Sequence, residues 1–139
     1  MGADLPLSGI KVICVEQAVA APFASARLAD AGAHVIKIKL STDHLSLPEA
    51  KKVYEAEGID VSTQAARVKH CVQSAFAGRR IMVFSGGAKK GADSVYDDAR
   101  AIRDGGGNGS IIGRNSFQRP REEALEMLGK LQDIYLGKG

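Results

Sequence analysis

Four short apolar runs punctuate this 139-residue chain, and most of what lies between them repeats with a helical period. The runs are Ile10–Val15, Val35–Leu40, Arg80–Phe84 and Gly109–Ile112. The amphipathic stretches are Pro22–Ala31, about Leu47–Ala56 with Pro48 in its first turn, Ser62–Phe76, Asp93–Asp104 and Pro120–Tyr135. Strands that alternate with helices pair in parallel through right-handed crossovers, which confines the chain to an α/β class. If the strands lie in simple order, every helix covers the same face of the sheet. The other face and both edges then stay open, which predicts self-association into a homo-oligomer.

The expected architecture is therefore a parallel sheet of about four βα units. It is either a partial TIM barrel (a half-barrel) or an open Rossmann-like sheet, in a single α/β domain over 1–139. Gly32 closes the first helix, and Ser62 is the expected N-cap of the third. In that helix Val61, Ala65, Val68, Val72 and Phe76 fall close to one face, and in the last helix Ala124, Leu125, Leu128, Leu131 and Tyr135 form the stripe. Gly105-Gly106-Gly107-Asn108-Gly109 reads as a short flexible loop from helix to strand. Tyr54, Tyr96 and Tyr135 read as packing residues with wet hydroxyls.

Composition narrows the function. With 45% hydrophobic and 25% charged residues the chain is an ordinary globular mixture, but it is far short of the roughly 250 residues of a full eight-unit barrel. Nineteen Lys and Arg against 16 Asp and Glu leave a charge of only +3, scattered along the chain, and aromatics are 5%. That disfavours a nucleic-acid face. No stretch of about 18 apolar residues occurs, so no membrane span is expected, and the opening residues lack a signal-peptide pattern. Cys14 and Cys71 sit in apolar segments without a CxxC spacing, as buried reduced thiols would. These features predict a cytoplasmic protein. His44 and His70 are far apart and no ligand cluster surrounds them, so neither a metal nor another cofactor is expected.

Two strand ends carry chemistry. Phe84 runs into Ser85-Gly86-Gly87, and Ile112 runs into Gly113-Arg114-Asn115. Glycine lets backbone N–H groups approach an oxyanion, and arginine adds a forked, charged donor. Adjacent strand ends of this type at a barrel mouth make a phosphate site. On the strand before them Val35, Lys37 and Lys39 share one face and Ile36, Ile38 and Leu40 the other. On an edge strand those lysines are a solvated face that discourages pairing. In a barrel they point inward, where desolvation and nearby cations free an amine for Schiff-base chemistry. Lys89 and Lys90 read as a solvated turn or as helpers at the phosphate site.

From about Ala33 onward the chain resembles the C-terminal part of archaeal-type class I fructose-bisphosphate aldolases. The resemblance is carried by Ala33-His34-Val35-Ile36-Lys37-Ile38-Lys39-Leu40, Thr42-Asp43-His44, Phe84-Ser85-Gly86-Gly87, Ile112-Gly113-Arg114-Asn115-Ser116-Phe117-Gln118 and Leu131-Gln132-Asp133-Ile134-Tyr135. It implies that Lys37 forms the imine with dihydroxyacetone phosphate in a glycolytic lyase reaction. It also implies that Ser85, Gly86, Gly87, Gly113 and Arg114 hold the substrate phosphate, with a phosphorylated sugar or triose phosphate as partner. The family's acid–base tyrosine and aspartate belong to earlier barrel strands, so the catalytic set here is expected to be incomplete.

The first third resembles a different family. Leu5-Pro6-Leu7-Ser8-Gly9-Ile10-Lys11-Val12-Ile13, then Glu16 to Ala24, then Leu28-Ala29-Asp30-Ala31-Gly32-Ala33-His34-Val35-Ile36-Lys37-Ile38 resemble the opening of family III CoA-transferases, so the two resemblances overlap over the second strand. That resemblance implies a weak CoA contact at Gln17 and Ala20. The transferase pattern would continue with an acidic residue where Lys39 stands, so the chain reads as a fusion, transferase-like over 1–33 and aldolase-like over 34–139. Three functions compete on these grounds: an aldolase-like enzyme, a non-catalytic phosphate-ligand or assembly module, and a CoA-binding remnant.

Overall fold

The computed structural model describes residues 12–13, 26–45, 47–85 and 91–138. Strand β1 (Val12–Ile13) precedes helix α1, which is described over 26–30. There follow β2 (Val35–Lys39), α2 (Pro48–Ala56), α3 (Gln64–Ser74), β3 (Ile81–Ser85), α4 (Ala92–Asp104), β4 (Gly109–Ile111), the single turn α5 (Arg114–Phe117) and α6 (Arg121–Tyr135). The strands lie in the order β1-β2-β3-β4, all parallel. This is the simple order, an open α/β sheet whose helices cover one face.

The pleat sorts the side chains. Ile36 and Ile38 of β2 and Met82 and Phe84 of β3 are buried against the helices, with Ala29, Ala33, Val68, Cys71, Ala75 and Ile102. Val95, Ala99, Met127, Leu131 and Ile134 form a second cluster between α4 and α6. The opposite face carries Val35 beside Ile81, Lys37 beside Val83 and Gly109, and Lys39 beside Ser85 and Ile111. No helix covers that face among the described residues, and Ile81 and Ile111 are 49% and 45% exposed there.

Gly32 ends α1 as expected, with φ +96 and the paired bonds Gly32 N–H to Ala29 O and Ala33 N–H to Leu28 O. Other local expectations are corrected. The N-cap of α3 is Thr63, whose hydroxyl accepts from Ala66 N, while Ser62 is bound to the Asp60 carboxylate. Phe76 is exposed, because the backbone at Phe76, Ala77 and Gly78 turns left-handed (φ +57, +52 and +83) and swings the ring off the helix stripe. There it lies under the Arg80 guanidinium, 5.2 Å from ring centroid to Cζ. On α6 the buried residues are Met127, Leu131 and Ile134, and Leu125 and Leu128 stay exposed. Met127 fills the space against α4, which rotates the helix away from the Leu125 stripe.

The glycine run is no loose loop. Gly106 (φ +82) makes a left-handed helix end, with Gly106 N–H to Arg103 O and Gly107 N–H to Ile102 O. A Cβ on Gly105 would lie 2.5 Å from Val68 Cγ1 and 2.6 Å from Ala65 O, and one on Gly107 would lie 2.8 Å from Phe84 Cε2. Asn108 then extends the sheet: its side-chain oxygen accepts from Met82 N at 2.8 Å and its own N–H donates to Met82 O at 2.8 Å.

Arg67 holds the connection between β2 and α3. Its Nε donates to Ser41 O at 3.2 Å, and Nη1 donates to Val61 O at 2.8 Å and Ser62 O at 3.1 Å. In Arg67→Met the stem remains and three carbonyls lose a charged donor. We expect a loss of about 2 kcal/mol in a urea melt.

Candidate functional site

The uncovered sheet face ends, at its C-terminal side, in a cleft of about 240 Å³ lined by Lys37, Ser85, Ile111, Gly113, Arg114, Asn115 and Phe117. Three elements build it. Strand β2 places Lys37 on the uncovered face because Ile36 and Ile38, one residue to either side, are drawn into the core. Strand β3 ends with Ser85 on the same face, between Lys39 and Ile111 in register. Beyond β4 the chain turns at Gly113, which caps the single turn carrying Arg114.

Among the described residues the lining holds two cations and no carboxylate, so the field inside favours an anion. Lys37 is half-buried and Arg114 exposed. Ser85 Oγ donates a long bond of 3.4 Å to Ile38 O, and its oxygen can still accept from a ligand or from Lys37. Asn115, 5% exposed, is one of two buried polar residues among those described, and its carbonyl accepts from Arg119 Nε at 2.7 Å. Phe117, 72% exposed, adds an apolar lip.

Of the residues singled out by sequence, Lys37, Ser85, Gly113 and Arg114 are brought together in this cleft. Gly86 and Gly87, the neighbouring Lys89 and Lys90, and Gln17 and Ala20 of the CoA expectation lie outside the described residues. Sequence reasoning missed Ile111, Asn115 and Phe117 as lining. Asn115 stands in the string Gly113-Arg114-Asn115, but nothing in that string distinguishes its burial from the exposure of Arg114 beside it.

A larger groove of about 620 Å³ lies along α3 and the loop before it, lined by Asp60, Ala66, Lys69, His70 and Gln73. Its charges are mixed, and it holds none of the candidate site residues. Beside it Tyr54 Oη and His70 Nε2 share a hydrogen bond at 3.0 Å, and Ser110 and Tyr135 are joined through their hydroxyls on the covered face. Both tyrosine hydroxyls are thus paired within the protein rather than wet. Burial holds His70 below the ordinary imidazole range. A histidine that resists protonation only when folded makes the unfolded state bind more protons at low pH. Stability is therefore full above the unfolded pKa of about 6.5 and falls as pH drops below it. Thermal melts across that range should show a larger loss in the parent chain than in His70→Gln. Burial also pushes the Cys71 thiol up to about 12, so it is inert as a nucleophile.

Among the described residues no three His, Cys, Asp or Glu side chains gather as metal ligands. No described helix is long and apolar enough to cross a membrane.

With this geometry in place, comparison with known proteins gives two similarities. Residues 7–73, a little under half of the chain, match the family model of CoA-transferase family III. The probable class 1 fructose-bisphosphate aldolase of Chlamydia muridarum (strain MoPn / Nigg) is 34% identical over 71 residues, 49% of this chain and 20% of that protein. The corresponding protein of Chlamydia pneumoniae is 35% identical over 71 residues, with the same coverage. The chain is similar in part to class I fructose-bisphosphate aldolases. The match spans about a fifth of the length of those relatives.

Solved structures extend the likeness to the whole fold. An archaeal fructose 1,6-bisphosphate aldolase superposes with a TM-score of 0.65 at 18% identity, over 92% of this chain and 46% of its own. The aldolase from Slackia heliotrinireducens DSM 20476 gives 0.60 at 17% identity, over 94% and 44%. The open sheet thus corresponds to part of an aldolase barrel. The transferase-like stretch runs through β2 and α2 into α3, yet the fold shows no break there. A parallel sheet accepts any right-handed βα unit whose inward residues fit, so two ancestries can share one sheet.

Proposed function

We propose that this chain carries the imine-forming site of a class I fructose-bisphosphate aldolase-type lyase, with Lys37 as the amine and a phosphorylated ketone as ligand. The observation that supports it best is the shared cleft: an amine, an arginine, a serine hydroxyl and a glycine turn line one anion-favouring space. The phosphate of dihydroxyacetone phosphate sits against Arg114, Ser85 and the backbone at Gly113, which leaves its carbonyl beside Lys37. The unprotonated amine adds to the carbonyl carbon, and the carbinolamine loses water to give the imine. Once protonated, the imine draws electrons from the neighbouring carbon, which is what making or breaking the hexose bisphosphate C–C bond requires. Proton transfer to and from that substrate is worth about 10²- to 10⁴-fold in rate. Among the described residues the cleft lining contains no carboxylate or tyrosine to supply it. Imine formation is accordingly the step assigned to this chain, with cleavage of fructose 1,6-bisphosphate slow in the chain alone.

Borohydride reduction with dihydroxyacetone phosphate tests this. An adduct mapped by mass spectrometry to Lys37 is expected. Phosphate binding with no adduct would replace the reading by a non-catalytic phosphate-ligand module. A second reading, CoA binding by the transferase-like segment near Gln17 and Ala20, draws on the family match over 7–73. Calorimetry showing CoA bound and triose phosphate ignored would favour it.

A further inference from the structure

We infer that two copies of this chain close face to face into one eight-stranded parallel barrel, each copy supplying the wall that the other's cleft lacks. The inference stands on the sheet and not on the amine chemistry, so either can fail without the other.

Four observations lead to it. The sheet has four parallel strands in simple order, and among the described residues β1 and β4 are its two edges. A twofold axis along the strand direction sets β4 of one copy beside β1 of the other in parallel, twice, and removes both edges. The uncovered face presents Val35, Ile81, Val83 and Ile111, a surface that a lone sheet leaves in water. The fold also corresponds to 46% of an aldolase barrel chain, so two copies account for nearly all of such a barrel.

Charge decides which way the faces meet. The row nearest the N-terminal ends of the strands is apolar, with Val35 beside Ile81, and the middle row sets Lys37 beside Val83. Lys39 and Arg114 lie at the C-terminal end. Parallel closure buries the apolar end against its own copy and gathers the cations at one mouth, where water and anions reach them. An antiparallel stack of the two faces would set cations over the apolar rows, which costs desolvation without a partner charge. In the closed form Lys37 of each copy faces the barrel interior just below that mouth, and Arg114 stands at its rim.

Light scattering of the full chain should give twice the 14.7 kDa of one copy. Ile111→Asp and Ile81→Glu, at opposite ends of the uncovered face, should each give a folded monomer by circular dichroism. Leu128→Asp, on the exposed outer side of α6, should leave the dimer intact. Should Ile111→Asp fail to fold, Ile81→Glu carries the test, since its side chain is already half in water. A parent chain that is monomeric at every concentration would overturn the proposal. So would a dimer broken by Leu128→Asp but kept by the sheet-face variants.

Discussion

In the Lys37→Met chain, borohydride should leave no dihydroxyacetone phosphate adduct at any ligand concentration, whereas Arg114→Met should still form the adduct but need about 10–150 times more ligand. The two outcomes differ because the two residues act on different parts of the ligand. Methionine keeps the unbranched stem that packs beside Val83 and removes the amine, so no covalent step can start. Arginine contributes charge-assisted hydrogen bonds to the phosphate, worth about 1.5–3 kcal/mol, which corresponds to the stated range in affinity. Adduct yield against ligand concentration, read by intact mass, separates them. Lys37→Met should lie flat at zero, and Arg114→Met should reach the parent plateau late.

Gly105→Ala should lower stability by about 2–3 kcal/mol, seen as a Tm about 8–12 °C below the parent. The backbone at Gly105 is right-handed (φ −79, ψ −1), so alanine meets no dihedral penalty and the whole effect is steric. Its methyl would stand 2.6 Å from the Ala65 carbonyl oxygen, a backbone atom that moves only if α3 and α4 separate. Gly129→Ala gives the matched contrast. Gly129 lies inside α6 with nothing within 4 Å of an added Cβ, so alanine there should stabilise by about 0.8 kcal/mol through helix propensity. Paired thermal melts of the two variants check both signs at once.

These glycines also mark the limit of what the residue pattern discloses. Periods of two and of about 3.6 place β2, β3, β4 and the long helices to within a residue or two, since burial on one face leaves a direct trace in the sequence. The simple strand order is not legible in this way, since right-handed crossovers build both a barrel order and a doubly wound one, and only the pairing of the strands settles it. Gly105-Gly106-Gly107 reads as a flexible loop because composition does not distinguish a glycine chosen for freedom from one chosen for closeness. Only the approach of Val68 and Phe84 reveals the second. The side of α6 that packs is ambiguous for a similar reason. Leu125, Leu128 and Leu131 make one apolar stripe, Met127, Leu131 and Ile134 another, and the partner helix selects between them. The turn α5 leaves almost no periodic trace in four residues, yet it is what brings Arg114, Asn115 and Phe117 to the cleft.

The proposed chemistry requires the Lys37 amine and the anion-binding groups around Arg114 to share one space. Labelling with an amine-reactive reagent, followed by peptide mapping with and without inorganic phosphate, measures this directly. Phosphate should slow modification of Lys37 several-fold while leaving Lys52 and Lys69, both exposed and away from the strand ends, unchanged, and the protection should vanish in Arg114→Met. Equal labelling of Lys37 with and without phosphate, or protection that survives loss of the arginine, would contradict it.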